Sequence, residues 1–280
     1  MKDLTKRTIT GAIYVLSVIA AVCINRYVAA VYFGIIMILA LREFIAVSSK
    51  AEISLNAPMI YSVSVFFYLA FVSHAFGCDY SVLAVFASLF CIIALAISAL
   101  YEKTAKPFTS MAYSLTAIAY IALPLSLSNL LFGMHDYFDC NVLLSIFIFA
   151  WCNDTFAYLV GCKFGKRRLF ERHSPKKSWE GFFGGFAATV LAGTLMWHFF
   201  GGNIYIWLLM AVVTTVVGTF GDLIESMFKR QMGVKDSGNI LPGHGGILDR
   251  FDILLLVLPA MWVVLGIVQF LSSRFPALLN

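Results

Sequence analysis

The chain has 280 residues, 61% of them hydrophobic and only 12% charged, with a formal net charge of +5. A mean hydropathy of +0.88 leaves too little polar surface for a soluble domain of this length, and the positive excess comes with no basic arm and no pattern for binding nucleic acid. Apolar runs of about 20 residues suffice to cross a bilayer as helices. The runs here are continuously apolar and do not alternate in the short segments of a β-barrel, so an all-α, polytopic membrane protein is expected.

Nine transmembrane helices are expected in chain order, near residues 8–25, 27–41, 58–76, 81–100, 108–132, 142–160, 181–200, 204–224 and 253–271. The opening MKDLTKR and its apolar sequel resemble a signal peptide, but further spans follow and the stretch reads as the first membrane helix. The second span is the shortest. With the N-terminus in the cytoplasm and the spans alternating, every Lys and Arg except Arg26 and Arg274 falls on the cytoplasmic side, which puts the C-terminus outside. The positive charge then lies where anionic headgroups and nucleotides are found. The six cysteines have no CxxC spacing. Most sit in or beside apolar runs as small buried residues, while Cys78 and Cys140 fall in loops on one expected side, where pairing stays open. Residues 1–140, with five spans almost free of ionisable groups, read as scaffold. Residues 141–280, with four spans and basic, Gly-rich cytoplasmic loops, read as the catalytic region.

Asp154, in FAWCNDTFAYLVGCKFGKRR, lies about 18 Å along its span at ~1.5 Å per residue. A carboxylate at that depth costs at least ~2.5 kcal/mol without a partner or a wet cavity. It reads as facing a polar cleft, with a structural hydrogen bond to a neighbouring helix as the alternative. In HSPKKSWEG, residues 173–181, Pro175 suits a first helical position with Ser174 as cap. The free N–H groups of such a helix start, with Lys176 and Lys177, would bind an anion; an ordinary cytoplasmic loop with an interfacial Trp179 is the alternative. Gly181 and Gly185 form a small-xxx-small pair suited to close helix packing.

Asp222 and Glu225 share a helix face near the inner end of the eighth span. They are placed to hold a divalent cation that in turn holds phosphate, the alternative being an ion pair with Lys229 or Arg230. In KDSGNILPGHGGILDRFD, residues 235–252, glycines let backbone N–H groups face a phosphate closely, and Asp249 and Asp252 share a face at the start of the last span. Asp222 and Asp249 come from two spans at one expected membrane level. Two carboxylates suit Mg²⁺, which leaves its other positions to water and substrate phosphates. His244 is open as a metal ligand, a base or a hydrogen-bond donor to phosphate, and its Gly-rich setting favours the donor.

The stretch 226–252, SMFKRQMGVKDSGNILPGHGGILDRFD, resembles the signature of the phosphatidate cytidylyltransferase (CDP-diacylglycerol synthase) family: S-x-x-K-R, four residues, K-D, then P-x-H-G-G-x-x-D-R-x-D. Asp154, Ala157, Tyr158, Gly161, Gly165, Lys166 and the SPKKSWEG of residues 174–181 are also similar to the family's pattern. The resemblance covers about residues 153–252; the first five spans share only hydrophobicity. It implies transfer of CMP from CTP to phosphatidate, with Mg²⁺ on Asp222 and Asp249, a second cation such as K⁺ nearby, and a homodimer in the inner (cytoplasmic) membrane. The lipid phosphate would be the nucleophile. It is ionised at neutral pH, so catalysis would rest on positioning and cations more than on a general base. Asp222, Asp249, Lys229, Arg250 and Asp252 are then the expected catalytic residues, with Arg250 bracing a carboxylate or clamping phosphate. Asp154, Lys176, Lys177, Ser178, Lys229, Arg230, Lys235, Asp236, His244, Gly245 and Gly246 would bind substrate. A CTP-dependent polyprenol kinase and an anion transporter are the rival readings. Transporters often carry repeats and broken helices at the midplane, whereas here the acids and glycines cluster toward the inner face.

Overall fold

A computed structural model describes residues 2–78, 81–133, 140–241, 243 and 245–274, with side-chain surroundings for all of these except 2–7, 81 and 133. The chain is an all-α, polytopic membrane protein with one small β-hairpin. Among the described residues, eight helices are long and apolar enough to cross a membrane, and Thr8–Ile24 is a shorter apolar helical stretch. All nine expected stretches are therefore helical. By contact density the residues group into two compact units, Met1–Gly133 with Phe228–Phe251, and Met134–Met227 with Asp252–Asn280.

The first unit begins with α1 (Lys2–Ile24) and α2 (Arg26–Lys50). Asn25 caps α2 by accepting from the Val28 amide at 2.9 Å, where a side-chain oxygen satisfies an otherwise orphaned N–H. The expected second span, 27–41, is too short: α2 runs on through Arg42 and Glu43 to Lys50. Those charges looked like a loop in sequence, but Glu43 is buried and hydrogen-bonded, so the helix need not end there. Next come α3 (Ala57–Ala75), α4 (Ser81–Ser98) and α5 (Pro107–Ala117). The α5 span continues as a π segment, Ile118–Ala122, into α6 (Leu123–Leu127). Pro124 lacks the N–H that would bond the Tyr120 carbonyl, so the regular ladder is interrupted at this place. The core of this unit is packed by Phe33, Met37, Leu41 and Phe44 of α2 with Ile60, Ile121 and Leu125. Phe44 stacks on Phe228 with ring centroids 4.5 Å apart.

The second unit holds α7 (Cys140–Phe164), β1 (Arg168–Phe170), β2 (Ser174–Ser178), α8 (Trp179–Phe200) and most of α9 (Ile204–Gln231) and α10 (Leu248–Arg274). The small-residue pair has the expected packing role: a Cβ at Gly181 would come within 2.7 Å of the Ala157 carbonyl, and one at Gly185 would meet the Asn153 side chain. The expected helix start at Ser174-Pro175 is wrong. Residues Ser174–Ser178 form β2, antiparallel to β1 with Arg168 opposite Ser178. The helix begins at Trp179, and Ser178, in extended backbone, caps it by accepting from the Gly181 amide at 3.1 Å. Closure of the hairpin decides the matter. The Trp179 amide donates to the Arg167 carbonyl at 2.9 Å, and the Glu180 carboxylate accepts from the amides of Lys166 at 3.0 Å and Arg167 at 3.2 Å. All six cysteines are free thiols, and Cys140 is the buried first residue of α7, not a loop residue.

Candidate functional site

Within the first unit, the chain leaves α9 at Gln231 and turns through Val234, whose amide donates to the Lys229 carbonyl at 2.9 Å. The Arg230 guanidinium donates to the Val234 carbonyl at 3.3 Å. The Gly-rich segment that follows is held by Asp249. Oδ1 of Asp249 accepts from Lys229 Nζ at 2.7 Å, and Oδ2 accepts from the amides of Ser237 at 3.0 Å and Gly246 at 2.8 Å. The side chains of Lys229 and Asp249 are 13% and 6% exposed. A charged pair this far from water interacts more strongly than a surface pair and depends more on its neighbouring donors.

Gly245 has φ +85°, and a Cβ there would come within 2.5 Å of Asp249 Oδ2. This is a turn that only glycine makes without strain. Leu241 and Gly245 are joined by a backbone hydrogen bond of 3.0 Å.

A residue that sequence reasoning did not single out holds the same segment from the other side. Glu43 of α2 is 4% exposed. Its carboxylate accepts from the amide of Ile247 at 2.9 Å, the amide of Leu248 at 2.8 Å and Ser237 Oγ at 3.1 Å. It thus caps the N-terminus of α10, where a negative charge is favoured by the helix dipole and by orphaned amides. The available signal was an acid next to a long apolar run. The expected span, 27–41, stops short of Glu43, whereas α2 runs on to Lys50.

The remaining expected residues of this unit are spread around that cluster. Lys235, Asp236, Arg230 and Arg250 are exposed. The Arg250 carbonyl accepts from Tyr14 Oη at 3.2 Å, and the Tyr14 and Phe251 rings meet edge to face at 5.8 Å. His244 lies outside the described residues.

Within the second unit, Lys177 Nζ stands 2.5 Å from Asp222 Oδ2, with side chains 28% and 25% exposed, and Ser226 Oγ donates to Asp222 Oδ1 at 3.2 Å. Of the two acids for which an ion pair with Lys229 or Arg230 was the alternative, Asp222 pairs instead with Lys177 of β2. Asp222 is partly open, whereas Glu225, three residues on, is completely buried, so the two acids do not present one open face. Lys176 is exposed, and Ser178 is buried as the cap of α8. Asp154 is exposed on α7 beside the buried Asn153. Asp252 accepts at Oδ1 from the Ile253 amide at 2.8 Å, and its carbonyl packs against Gly221, where a Cβ would come within 2.8 Å.

No group of three or more His, Cys, Asp or Glu side chains able to hold a metal ion occurs among the described residues. A cage made wholly of protein is therefore absent from them. Asp222 and Asp249 each carry a lysine ammonium on one oxygen. The other oxygen of Asp222 accepts from Ser226, and that of Asp249 from two amides, so a cation at either acid would take the place of a lysine ammonium; a shell of one or two carboxylates completed with water and phosphate is the kind that suits Mg²⁺.

Among known proteins, the family model described as the Cytidylyltransferase family matches residues 5–268. Proteins named phosphatidate cytidylyltransferase are similar to the chain: that of Staphylococcus epidermidis (strain ATCC 12228 / FDA PCI 1200) is 40% identical over 171 residues, that of Staphylococcus haemolyticus 40% over 166, and that of Staphylococcus aureus (strain COL) 38% over 171. Each alignment spans 59% of this chain and 62% of the relative's length.

Proposed function

The chain belongs to the cytidylyltransferase family, and from that premise we propose that it transfers CMP from CTP to phosphatidate, giving CDP-diacylglycerol and pyrophosphate. An oxygen of the lipid phosphate bonds to the α-phosphorus of CTP. The bond from that phosphorus to the bridging oxygen breaks, and its electron pair leaves with pyrophosphate. Both reactants are anions, so the barrier is largely electrostatic, and fixed donors and cations lower it most.

The observation that carries this reading is the clamp on Asp249: one carboxylate orders Lys229, Ser237 and Gly246 around a Gly-rich turn that precedes a membrane helix. In that arrangement Lys229 and the backbone amide of Gly245 receive phosphate oxygens of CTP, beside the Gly246 amide that Asp249 holds in place. Lys177 is held by Asp222, and with Lys176, Arg230 and Lys235 it neutralises the polyphosphate and the lipid headgroup. Arg250 clamps phosphate, Asp236 and Asp252 steady the basic side chains around it, and Asp154 keeps a polar path along α7. Mg²⁺ held by Asp222 and Asp249 would supply charge neutralisation at the phosphates and the leaving group. K⁺ as a second cation, a homodimer, and an inner-membrane location with the site facing the cytoplasm complete the proposal.

The test is to give the purified chain phosphatidate, Mg²⁺ and CTP labelled at the α-phosphate or at the γ-phosphate. The proposal expects α-label in the organic phase and γ-label in water-soluble pyrophosphate. Label from the γ-position in the lipid would instead establish a kinase.

A further inference from the structure

Glu43 lies in the half of the chain that carries no other part of the proposed chemistry, and its carboxylate does more than cap a helix. It takes Ser237 Oγ on one limb of the Gly-rich segment and the Ile247 and Leu248 amides on the other, so one buried charge joins both limbs. The segment is also shaped around that charge. A Cβ at Gly238 would collide with the Glu43 carboxylate, and a Cβ at Gly246 would collide with both that carboxylate and Ser237 Oγ. Gly246 in turn donates its amide to Asp249 at 2.8 Å. Its two sides are therefore set by two different acids, one from α2 and one from α10.

The two acids differ in what they can release. Asp249 is paired with a lysine at one oxygen, and an ammonium can be exchanged for another cation or drawn off by a phosphate. Glu43 is bonded to the Ser237 hydroxyl and to two backbone amides, and those amides cannot leave without unwinding the start of α10.

We propose that Glu43 is a positioning residue for the transfer reaction: it fixes the Gly245–Gly246 backbone so that the turn keeps its place while Asp249 and Lys229 exchange partners with the nucleotide. The inference rests on the cytidylyl-transfer reading. Its consequence falls on the nucleotide side, since the turn's backbone donors are assigned to the phosphates of CTP. A mere helix cap would affect how much protein is folded and leave the Michaelis constants of the folded fraction alone.

The experiment compares wild type, Glu43→Gln and Glu43→Asp, purified in detergent, by steady-state kinetics in CTP and phosphatidate and by hydrogen exchange at the Ile247 and Leu248 amides without substrate. In Glu43→Gln, CTP KM is expected to rise about tenfold and kcat to fall by a similar factor, with phosphatidate KM unchanged. Glu43→Asp, which restores the charge, should recover part of both. The two amides should exchange at least tenfold faster in Glu43→Gln. Unchanged constants for both substrates, or a loss of active protein with both KM values unaltered, would overturn the positioning role even if exchange quickens. If wild type transfers no CMP at all, the functional reading fails on its own. The exchange data then decide whether Glu43 holds the turn, and unchanged exchange in Glu43→Gln overturns that too.

Discussion

Replacing Asp249 with asparagine removes one charge and almost no volume, so its effect measures the clamp itself. The carboxylate is bonded to Lys229 at 2.7 Å and to two amides at 3.0 and 2.8 Å, and its side chain is 6% exposed. Asparagine keeps one acceptor oxygen but turns an NH₂ toward groups that are themselves donors. Breaking a buried ion pair by removing one partner costs about 3–5 kcal/mol; because Lys229 is 13% exposed, the lower end, about 3 kcal/mol, is expected. Part of that loss comes from the lysine left behind. Lys229→Met in the same background should therefore recover some of it, with a coupling of about 2 kcal/mol between the two positions, as for hydrogen bonds to charged groups. Denaturant unfolding of wild type, the two single variants and the double variant, all in one detergent, gives that coupling directly. A value under about 0.5 kcal/mol would mean the pair behaves like a screened surface pair and that the clamp argument is wrong.

The remaining expectations are shorter. Lys177→Met should raise CTP KM by about tenfold, equivalent to ~1.4 kcal/mol, while leaving stability nearly unchanged, because its pair with Asp222 is more than a quarter exposed; steady-state kinetics beside an unfolding curve checks both halves. Gly246→Ala should abolish turnover, because the added methyl meets Glu43 and Ser237 Oγ, whereas alanine at the exposed Gly233, which has open space around it but φ +70°, should cost only about 1 kcal/mol of backbone strain. Ser178→Ala should lower stability by about 1 kcal/mol through loss of the α8 cap, read as a shift in the unfolding midpoint. If Asp222 and Asp249 hold the divalent ion, Mn²⁺ electron paramagnetic resonance with CTP present should detect tight binding to wild type and weak binding to Asp222→Asn or Asp249→Asn.

The spans were legible because a bilayer demands long apolar helices and tolerates little else. Charges at their ends were harder to read. Ending the second span before Arg42 follows from hydropathy, yet Glu43 stays helical because its charge is satisfied by amides more than 200 positions later in the chain. No local pattern reports a partner that distant. The start of α8 was misplaced by four residues for the opposite reason: Ser174-Pro175 imitates a capped helix start, but the Arg167 carbonyl and the Glu180 carboxylate close a hairpin over it. At the site, the presence of Lys229, Asp249 and the glycines in one segment was readable from their spacing, and so was the close packing of Gly181 and Gly185. Which lysine meets which acid was not. Lys177 pairs with Asp222 and Lys229 with Asp249, although Lys229 lies only two turns from Asp222 along α9.

Phosphorus NMR of one reaction mixture tests the proposed chemistry most directly. With the purified chain, Mg²⁺, CTP and phosphatidate, the account predicts that phosphatidate and CTP signals decline together while a lipid-linked diphosphate diester and free pyrophosphate grow in equal amounts. Growth of CDP or inorganic phosphate in place of pyrophosphate, or loss of CTP with phosphatidate untouched, would contradict it.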